Sequence, residues 1–136
     1  MLKVNIVIDL KHLKIKQTPK TPEINFNPKL GDFQISGISI PEDSIGFYNP
    51  VILWLKDYIK NPYSKTVLSF KLAYVNTSSL QALYDIIFLL DGIHNKSSKV
   101  LIKWYYLEED LDMKEVGGDL KEALTIDFSF IEVEED

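Results

Sequence analysis

The sequence predicts a mixed α/β fold in which helices pack on a partly parallel β-sheet. Runs of alternating apolar and polar residues recur along the chain, and segments with helical periodicity lie between them. A turn sequence joins the first two alternating runs and indicates a hairpin. Strands separated by helices indicate right-handed crossovers between parallel neighbours. The predicted order is therefore ββαβαβαβ.

The first half of this order begins with strands over 23–27 and 33–38, which flank the turn at 28–32. A helix is predicted over 48–60, because apolar residues there repeat at helical spacing. Asn61-Pro62 ends that helix, since proline cannot donate the next backbone hydrogen bond.

The second half begins with a strand over 66–75, whose predicted inner face carries Leu68, Phe70, Leu72 and Tyr74. The strongest helical periodicity covers 80–93. A strand over 99–107 follows, then a weaker helix over 113–124 that Gly117-Gly118 is expected to interrupt. A strand over 126–133 ends the order.

The 136 residues are expected to form a single domain, 1–136. Residues 1–11 form either an extra edge strand or a flexible arm, and the alternating Val4, Ile6 and Ile8 leave both open. Residues 134–136 form an acidic tail. No apolar run reaches the roughly 20 residues of a membrane span, so a cytoplasmic protein without membrane insertion is expected.

The composition disfavours several functions. Without cysteine there is no thiolate nucleophile, thiolate zinc site or disulfide framework. All 15 basic residues are lysine, and the net charge is −5, which disfavours nucleic-acid binding. Residues 108–136 hold 12 of the 20 acidic residues and two lysines, a local net charge of −10. That stretch is interpreted as a solvated surface.

Candidate chemical groups are few. His12 and His94 belong to no metal-ligand motif. The acidic string 108–112 lacks the glycine and final glutamate of a calcium loop, which favours a solvated loop. No glycine-rich phosphate loop occurs. Neither a metal nor a cofactor is therefore expected.

The most informative motif is Tyr74-Val-Asn-Thr-Ser-Ser79, which ends one predicted strand and begins the strongest helix. Asn76, Thr77, Ser78 and Ser79 all suit a helix N-cap. The carboxyl end of a strand is also where functional groups gather in α/β sheets. A phosphorylated hydroxyl there would face the positive end of the helix dipole. On the residues alone, a simple cap and a regulatory phosphosite both stay open.

An ordered set of motifs resembles the SiaC family of bacterial regulatory phosphoproteins over about residues 12–133. The motifs are Thr21-Pro22-Glu-Ile24, Gly37-Ile-Ser-Ile-Pro-Glu42, Phe47-Tyr48-Asn-Pro50 with Trp54-Leu55, Tyr74-Val-Asn-Thr-Ser-Ser79, Trp104-Tyr-Tyr106 and the acidic loop through Asp112-Met113. Pro41-Glu42-Asp43 departs from the family's Pro-Glu-Asn, and Gly117-Gly118-Asp119 resembles a Gly-Glu-Asp variant.

The resemblance implies a STAS-like (anti-anti-sigma-factor-like) fold and partner switching without enzymatic activity. It implies phosphorylation of Thr77 by a dedicated serine/threonine kinase of histidine-kinase-like ATPase fold, reversed by a PP2C-type phosphatase. The unmodified form would bind and activate a diguanylate cyclase, which raises cyclic di-GMP and favours biofilm formation. Asn76, Ser78 and Ser79 would shape the phosphosite loop and helix cap. Partner contacts are predicted at Pro41, Glu42, Asp43 and Tyr48.

Two other functions stay open on the residues alone. One is a small-molecule-binding module with a polar pocket at the strand carboxyl ends. The other is an enzyme that uses Glu42, Asp43 and the acids of 108–112 as an acid–base pair.

Overall fold

The computed structural model describes residues 10–135 as one six-stranded sheet with three helices. The strands are β1 (Leu13–Ile15), β2 (Glu23–Asn27), β3 (Asp32–Ser39), β4 (Lys65–Val75), β5 (Lys99–Leu107) and β6 (Asp127–Val133). The helices are α1 (Ser44–Tyr58), α2 (Thr77–Asp91) and α3 (Leu111–Glu122). The predicted class is confirmed, and the eight predicted elements occur in the predicted order after the additional strand β1.

The edge strand β1 lies just beyond the 1–11 segment for which the sequence leaves an edge strand or a flexible arm open. It pairs with β2 through Leu13 and Phe26, Lys14 and Asn25, and Ile15 and Ile24. Residues 1–9 lie outside the described residues. No helix within 10–135 is both long enough and apolar enough to cross a membrane.

The order of strands in the sheet follows the chain from β1 to β6. The β1–β2 and β2–β3 pairs are antiparallel, whereas β3, β4, β5 and β6 run parallel to one another. One helix connects each neighbouring pair of these parallel strands. The carboxyl ends of β3 to β6 therefore share one edge of the sheet.

The hydrophobic core lies between the helices and one face of the sheet, which we call the covered face. Every second strand residue points into it, as the period of a β-strand requires. The fully buried strand residues of this core are Ile24, Phe26, Phe33, Ile35, Leu68, Phe70, Ile102 and Trp104. The alternate positions form the open face, where Asn25, Gln34 and Lys103 are half-buried and Lys71 is exposed.

Helix α3 is continuous from Leu111 to Glu122, so the predicted interruption at Gly117-Gly118 is wrong. Gly117 packs directly against the ring of Trp104, and a Cβ there would lie 2.6–2.8 Å from three indole atoms. The indole Nε1 also donates to the carbonyl of Met113 at 2.9 Å. The missing side chain therefore lets this helix approach the sheet, and contacts with β5 outweigh the low helix propensity of glycine.

Candidate functional site

Strand β4 reaches the predicted motif through a β-bulge. Ala73 has no partner on β3, and Tyr74 lies on the open face, with 59 % of its surface exposed. Val75 then points into the core. The prediction that Tyr74 shares the face of Leu72 is therefore wrong, because a bulge adds one residue and reverses the alternation that follows it.

Asn76 joins this strand to helix α2. Its backbone N–H donates to the carbonyl of Ser39 at 2.9 Å. Its side-chain Oδ1 accepts from the backbone N–H of Ser79 at 2.9 Å, and its carbonyl accepts from that of Leu80 at 3.1 Å. Asn76 is therefore the N-cap, and Thr77 is the first residue of the helix.

Ser79 is the most deeply buried hydroxyl of the motif, with no exposed surface. Its Oγ accepts from Ser39 Oγ at 2.8 Å and donates to the carbonyl of Ser39 at 3.3 Å. Tyr48 OH lies 2.6 Å from Ser39 Oγ. Because each hydroxyl has one proton, Tyr48 must donate to Ser39, which donates to Ser79. These three side chains form a buried hydroxyl chain that fixes the first turn of α2 to β3 and α1.

The side chain of Tyr48 is completely buried, so the prediction that it contacts a partner is wrong. Burial raises the pKa of its phenol to about 12, since the charged form loses its hydration, and the neighbouring hydroxyls of Ser39 and Ser79 offset only part of this effect. Tyr48 therefore remains a neutral hydrogen-bond donor at physiological pH, and its contribution to the site is structural.

Ser78 is an exposed residue whose hydroxyl is nevertheless held by two neighbours. Its Oγ lies 2.6 Å from Ser44 Oγ and donates to Asn76 Oδ1 at 3.3 Å. Ser44 is the first residue of α1 and only 7 % exposed. This pair of serines therefore connects the first turns of α1 and α2.

Thr77 differs from both serines. It is exposed at the first position of α2, and its hydroxyl makes no hydrogen bond to any of residues 10–135. The first turn of α2 has no acidic residue. An anion on this hydroxyl would therefore meet the positive end of the helix dipole without a competing carboxylate in that turn.

The segment before α1 holds the other predicted contact residues. Pro41 is buried, and its predicted partner contact stays a prediction. Glu42 and Asp43 are exposed. Asp43 is the N-cap of α1, because its Oδ1 accepts from the N–H of Gly46 at 3.0 Å, and Glu42 pairs with Lys20 at 3.3 Å. The two carboxylates thus lie on the surface beside the serine pair that links α1 to α2.

Ser39 and Ser44 are parts of the site that lie outside the predicted motif. Ser39 continues the inward-facing series of Phe33 and Ile35 along β3, and a hydroxyl in such a position must find a buried partner. The alternation along β3 therefore predicts that Ser39 is buried and hydrogen-bonded. Ser44 gave a weaker signal, because a serine at the start of a helix usually satisfies local backbone groups rather than a distant side chain.

The remaining polar candidates have structural roles. Asp110 in the acidic string is the N-cap of α3 and accepts from the N–H of Met113 at 3.1 Å. His94 is buried, and its Nδ1 accepts from the N–H of Val100 at 2.9 Å. Within residues 10–135, no three acidic or histidine side chains are grouped as a metal ion requires.

Three cavities lie near the carboxyl ends of the strands. One, about 450 Å³, lies beyond β5 and β6 and is lined mainly by the acidic residues that follow these strands, at 108–110 and 134–135. Another, about 430 Å³, is on the open face, and its lining includes Lys71, Tyr105 and Val133. The third, about 120 Å³, lies between the first turns of α1 and α2, and its lining includes Ser44 and Ser78. The cavity that Ser78 borders is therefore a small depression, well below the roughly 300–1,000 Å³ of small-molecule sites.

Comparison with known proteins places this chain among regulatory phosphoproteins of mixed α/β architecture. The chain belongs to the SiaC family: the profile described as "SiaC family regulatory phosphoprotein" matches residues 15–133. The Pseudomonas aeruginosa (strain UCBPP-PA14) protein PA14_02130, which is described as uncharacterized, is 28 % identical over 120 residues, covering 88 % of this chain and 95 % of that protein.

Solved structures of SiaC from Pseudomonas aeruginosa share the fold. Apo-SiaC matches with a TM-score of 0.81 and 28 % identity, covering 89 % of this chain and 98 % of that one. SiaC in complex with the diguanylate cyclase SiaD, which it activates, matches with a TM-score of 0.83 and 28 % identity, covering 89 % of this chain and 99 % of that one.

Proposed function

We propose that this chain is a non-enzymatic cytoplasmic adaptor whose choice of partner depends on phosphorylation of Thr77. The observation that carries the proposal is the difference between the three motif hydroxyls. Thr77 is exposed and makes no hydrogen bond within residues 10–135, whereas Ser78 and Ser79 are both engaged. Membership of a family of regulatory phosphoproteins supports the same assignment.

Phosphorylation of Thr77 would change the surface more than the fold. The phosphate adds a charge of about −1.5 to −2. At the N-terminus of α2 this charge is tolerated, with a stabilisation of about 0.3–1 kcal/mol. At a protein interface the same dianion must be desolvated, which excludes a partner that lacks cations to pair with it. A small local modification can thus switch partners.

The proposed effector is a diguanylate cyclase that the unmodified form binds and activates, which would raise cyclic di-GMP and favour biofilm formation. The support is the 0.83 TM-score to a SiaC in complex with such a cyclase, over nearly all of that chain. A serine/threonine kinase of histidine-kinase-like ATPase fold would add the phosphate, and a PP2C-type phosphatase would remove it. No cofactor or metal is required.

The surface beside Thr77 is proposed as the partner-binding region. The link between Ser44 and Ser78 places the start of α1 next to the motif, so Glu42 and Asp43 flank it. Asp43 also caps α1, which makes Glu42 the better position for testing a direct contact. A Glu42→Gln variant removes the charge without removing a cap.

The phosphosite is tested by incubating the chain with its cognate kinase and ATP and mapping the phosphate by mass spectrometry. We expect one phosphate on Thr77 and none on the Thr77→Ala variant. A Thr77→Ser variant keeps the hydroxyl and should still accept phosphate. Phosphate at another residue of the wild type, with Thr77 unmodified, would refute the assignment.

The switch is tested by measuring cyclase binding and activity with two matched variants. Thr77→Asp should weaken binding at least about tenfold, because an unpaired charge in an interface costs more than the 1.4 kcal/mol of one decade. Thr77→Asn has nearly the same shape without the charge and should bind far better. Equal binding by both variants would show that charge at this position does not control the partner.

The small-molecule alternative receives less support. The cavity at the motif is only about 120 Å³, and the one on the open face is lined mainly by apolar side chains. The cavity of about 450 Å³ beyond β5 and β6 is lined by acidic residues and contains none of the motif hydroxyls. The enzyme alternative requires paired carboxylates, but Asp43 and Asp110 each cap a helix.

A further inference from the structure

We propose that the fold of this chain itself selects Thr77 as the phosphoacceptor, with Ser44 as the residue that keeps the adjacent Ser78 unmodified. The inference rests on the proposed phosphorylation and extends it, since it assigns the selectivity to hydrogen bonds within the substrate protein rather than to the kinase alone. It also gives roles to Ser39 and Tyr48, which keep the Ser79 hydroxyl hydrogen-bonded in the core, where a kinase cannot reach it.

Phosphoryl transfer sets a requirement that the three hydroxyls meet unequally. The acceptor oxygen attacks the γ-phosphorus of ATP, the bond from that phosphorus to the β-phosphate oxygen breaks, and ADP leaves. The hydroxyl proton passes to a basic group of the kinase. The oxygen must therefore be reachable in line with the leaving group, and its proton must be free to move to the kinase.

Ser79 fails this requirement by burial. No part of the residue is exposed, and its hydroxyl both accepts from Ser39 Oγ at 2.8 Å and donates to the Ser39 carbonyl. Tyr48 supports Ser39 from the core side at 2.6 Å. A kinase could reach Ser79 only after the first turn of α2 had unwound and this buried chain had broken.

Ser78 fails for a more specific reason. The residue is exposed, but its hydroxyl proton is given to Asn76 Oδ1 and its oxygen accepts from Ser44 Oγ at 2.6 Å. Ser44 is 7 % exposed and lies at the start of α1, so its hydroxyl keeps the Ser78 oxygen at the contact between α1 and α2. Loss of the Ser44 hydroxyl would leave the Ser78 hydroxyl with only its longer hydrogen bond to Asn76 Oδ1, at 3.3 Å, without exposing Ser79.

The test uses the full chain in a Thr77→Ala background, purified from the source organism so that its own kinase acts. Three chains are compared by phosphopeptide mass spectrometry: Thr77→Ala alone, Thr77→Ala with Ser44→Ala, and Thr77→Ala with Ser97→Ala. Ser97 is an exposed serine far along the chain from the motif and serves as the matched control. A fourth chain, Thr77→Ala with Ser44→Thr, restores the hydroxyl.

We expect Ser78 to gain phosphate at least about fivefold in the Ser44→Ala chain relative to Thr77→Ala alone, the ratio that one ordinary hydrogen bond contributes. The Ser97→Ala chain should show no gain, and Ser44→Thr should return Ser78 to the low level. Return of Ser78 to the low level in the Ser44→Thr chain would assign the effect to the hydroxyl at position 44.

Two results would overturn the inference while leaving the proposed function intact. One is phosphorylation of Ser78 in Thr77→Ala alone at the level of the Ser44→Ala chain. The other is an unmodified Ser78 in the Ser44→Ala chain when the wild type carries phosphate on Thr77. Absence of phosphate from Thr77 of the wild type would overturn the proposed function and the selectivity together.

Discussion

At the residue scale, the site depends on what each hydroxyl is bonded to rather than on its chemical type. Thr77, Ser78 and Ser79 are consecutive, and each carries one hydroxyl of similar reactivity. Their surroundings differ because a helix turns each successive residue by about 100°, which directs the three side chains toward solvent, toward α1 and toward β3. The result is one hydroxyl, on Thr77, with no hydrogen bond within residues 10–135, beside two that are hydrogen-bonded.

A pH titration of stability tests the buried hydroxyl chain. The pKa of Tyr48 is raised to about 12 in the folded protein, from an ordinary value near 10. Between these values the unfolded state loses the phenol proton first, so the free energy of unfolding falls as pH rises, by up to about 1.4 kcal/mol per pH unit. Below pH 10 the contribution is fully present.

Tyr48→Phe should remove this part of the fall in the free energy of unfolding at alkaline pH. It should also lower the free energy of unfolding at neutral pH by about 1 kcal/mol, the value of one hydrogen bond. Urea unfolding between pH 7 and 12 measures both. Tyr74→Phe is the control at neutral pH, because Tyr74 is 59 % exposed and loss of its hydroxyl should leave the free energy of unfolding unchanged. Tyr58, whose pKa burial also raises, accounts for part of the slope that remains. An unchanged slope in Tyr48→Phe would contradict this account.

At the element scale, the structure explains why α3 carries two consecutive glycines. Gly117 faces the Trp104 ring, whereas a Cβ at Gly118 would meet nothing within 4 Å. The same residue type therefore has opposite roles at neighbouring positions. One glycine permits a close helix–sheet contact, and the other only lowers helix propensity.

A pair of alanine substitutions tests this difference. Gly117→Ala should lower the free energy of unfolding by about 1–3 kcal/mol, because the ring of Trp104 must move and overpacking outweighs the gain in propensity. Gly118→Ala should raise it by up to about 1 kcal/mol. Urea unfolding followed by tryptophan fluorescence measures both. Equal effects from the two substitutions would show that the ring contact does not limit the helix.

At the scale of the whole molecule, long-range hydrogen bonds hold together segments that the local pattern leaves unconnected. Asp91, the last residue of α2, accepts at one oxygen from the N–H of Thr125 at 2.9 Å, from its hydroxyl at 2.8 Å and from the N–H of Ile126 at 3.1 Å. These contacts fix the entry into β6. They couple two elements that lie 34 residues apart or more.

Asp91→Ala should lower the free energy of unfolding by about 2 kcal/mol, since it leaves two backbone donors without their partner. Asp91→Asn keeps an acceptor oxygen and should cost less. Asp57→Ala is the surface control, because that exposed carboxylate pairs with the exposed Lys60, and a change within about 0.5 kcal/mol is expected. Thermal and urea unfolding measure the three variants. A small effect in Asp91→Ala would assign the β6 entry to packing alone.

The predicted order of helices and strands was accurate because hydrophobic periodicity is a local property. Errors occurred where a tertiary contact replaced the local rule: the bulge at Ala73 put Tyr74 on the open face, and the Trp104 ring made Gly117 compatible with a continuous helix. The family was recognisable from ordered motifs, and the profile match over 15–133 confirms it. A single domain over 1–136 stays a prediction.

The sequence by itself determined that a hydroxyl motif ends a strand and begins a helix, and that the chain resembles a family of regulatory phosphoproteins. It did not determine which hydroxyl is free. That was decided by Ser39 and Ser44, which reach Ser79 and Ser78 from 40 and 34 residues away. Hydrogen bonds between residues so far apart follow from the packing of β3 and α1 against α2, and no local spacing encodes them.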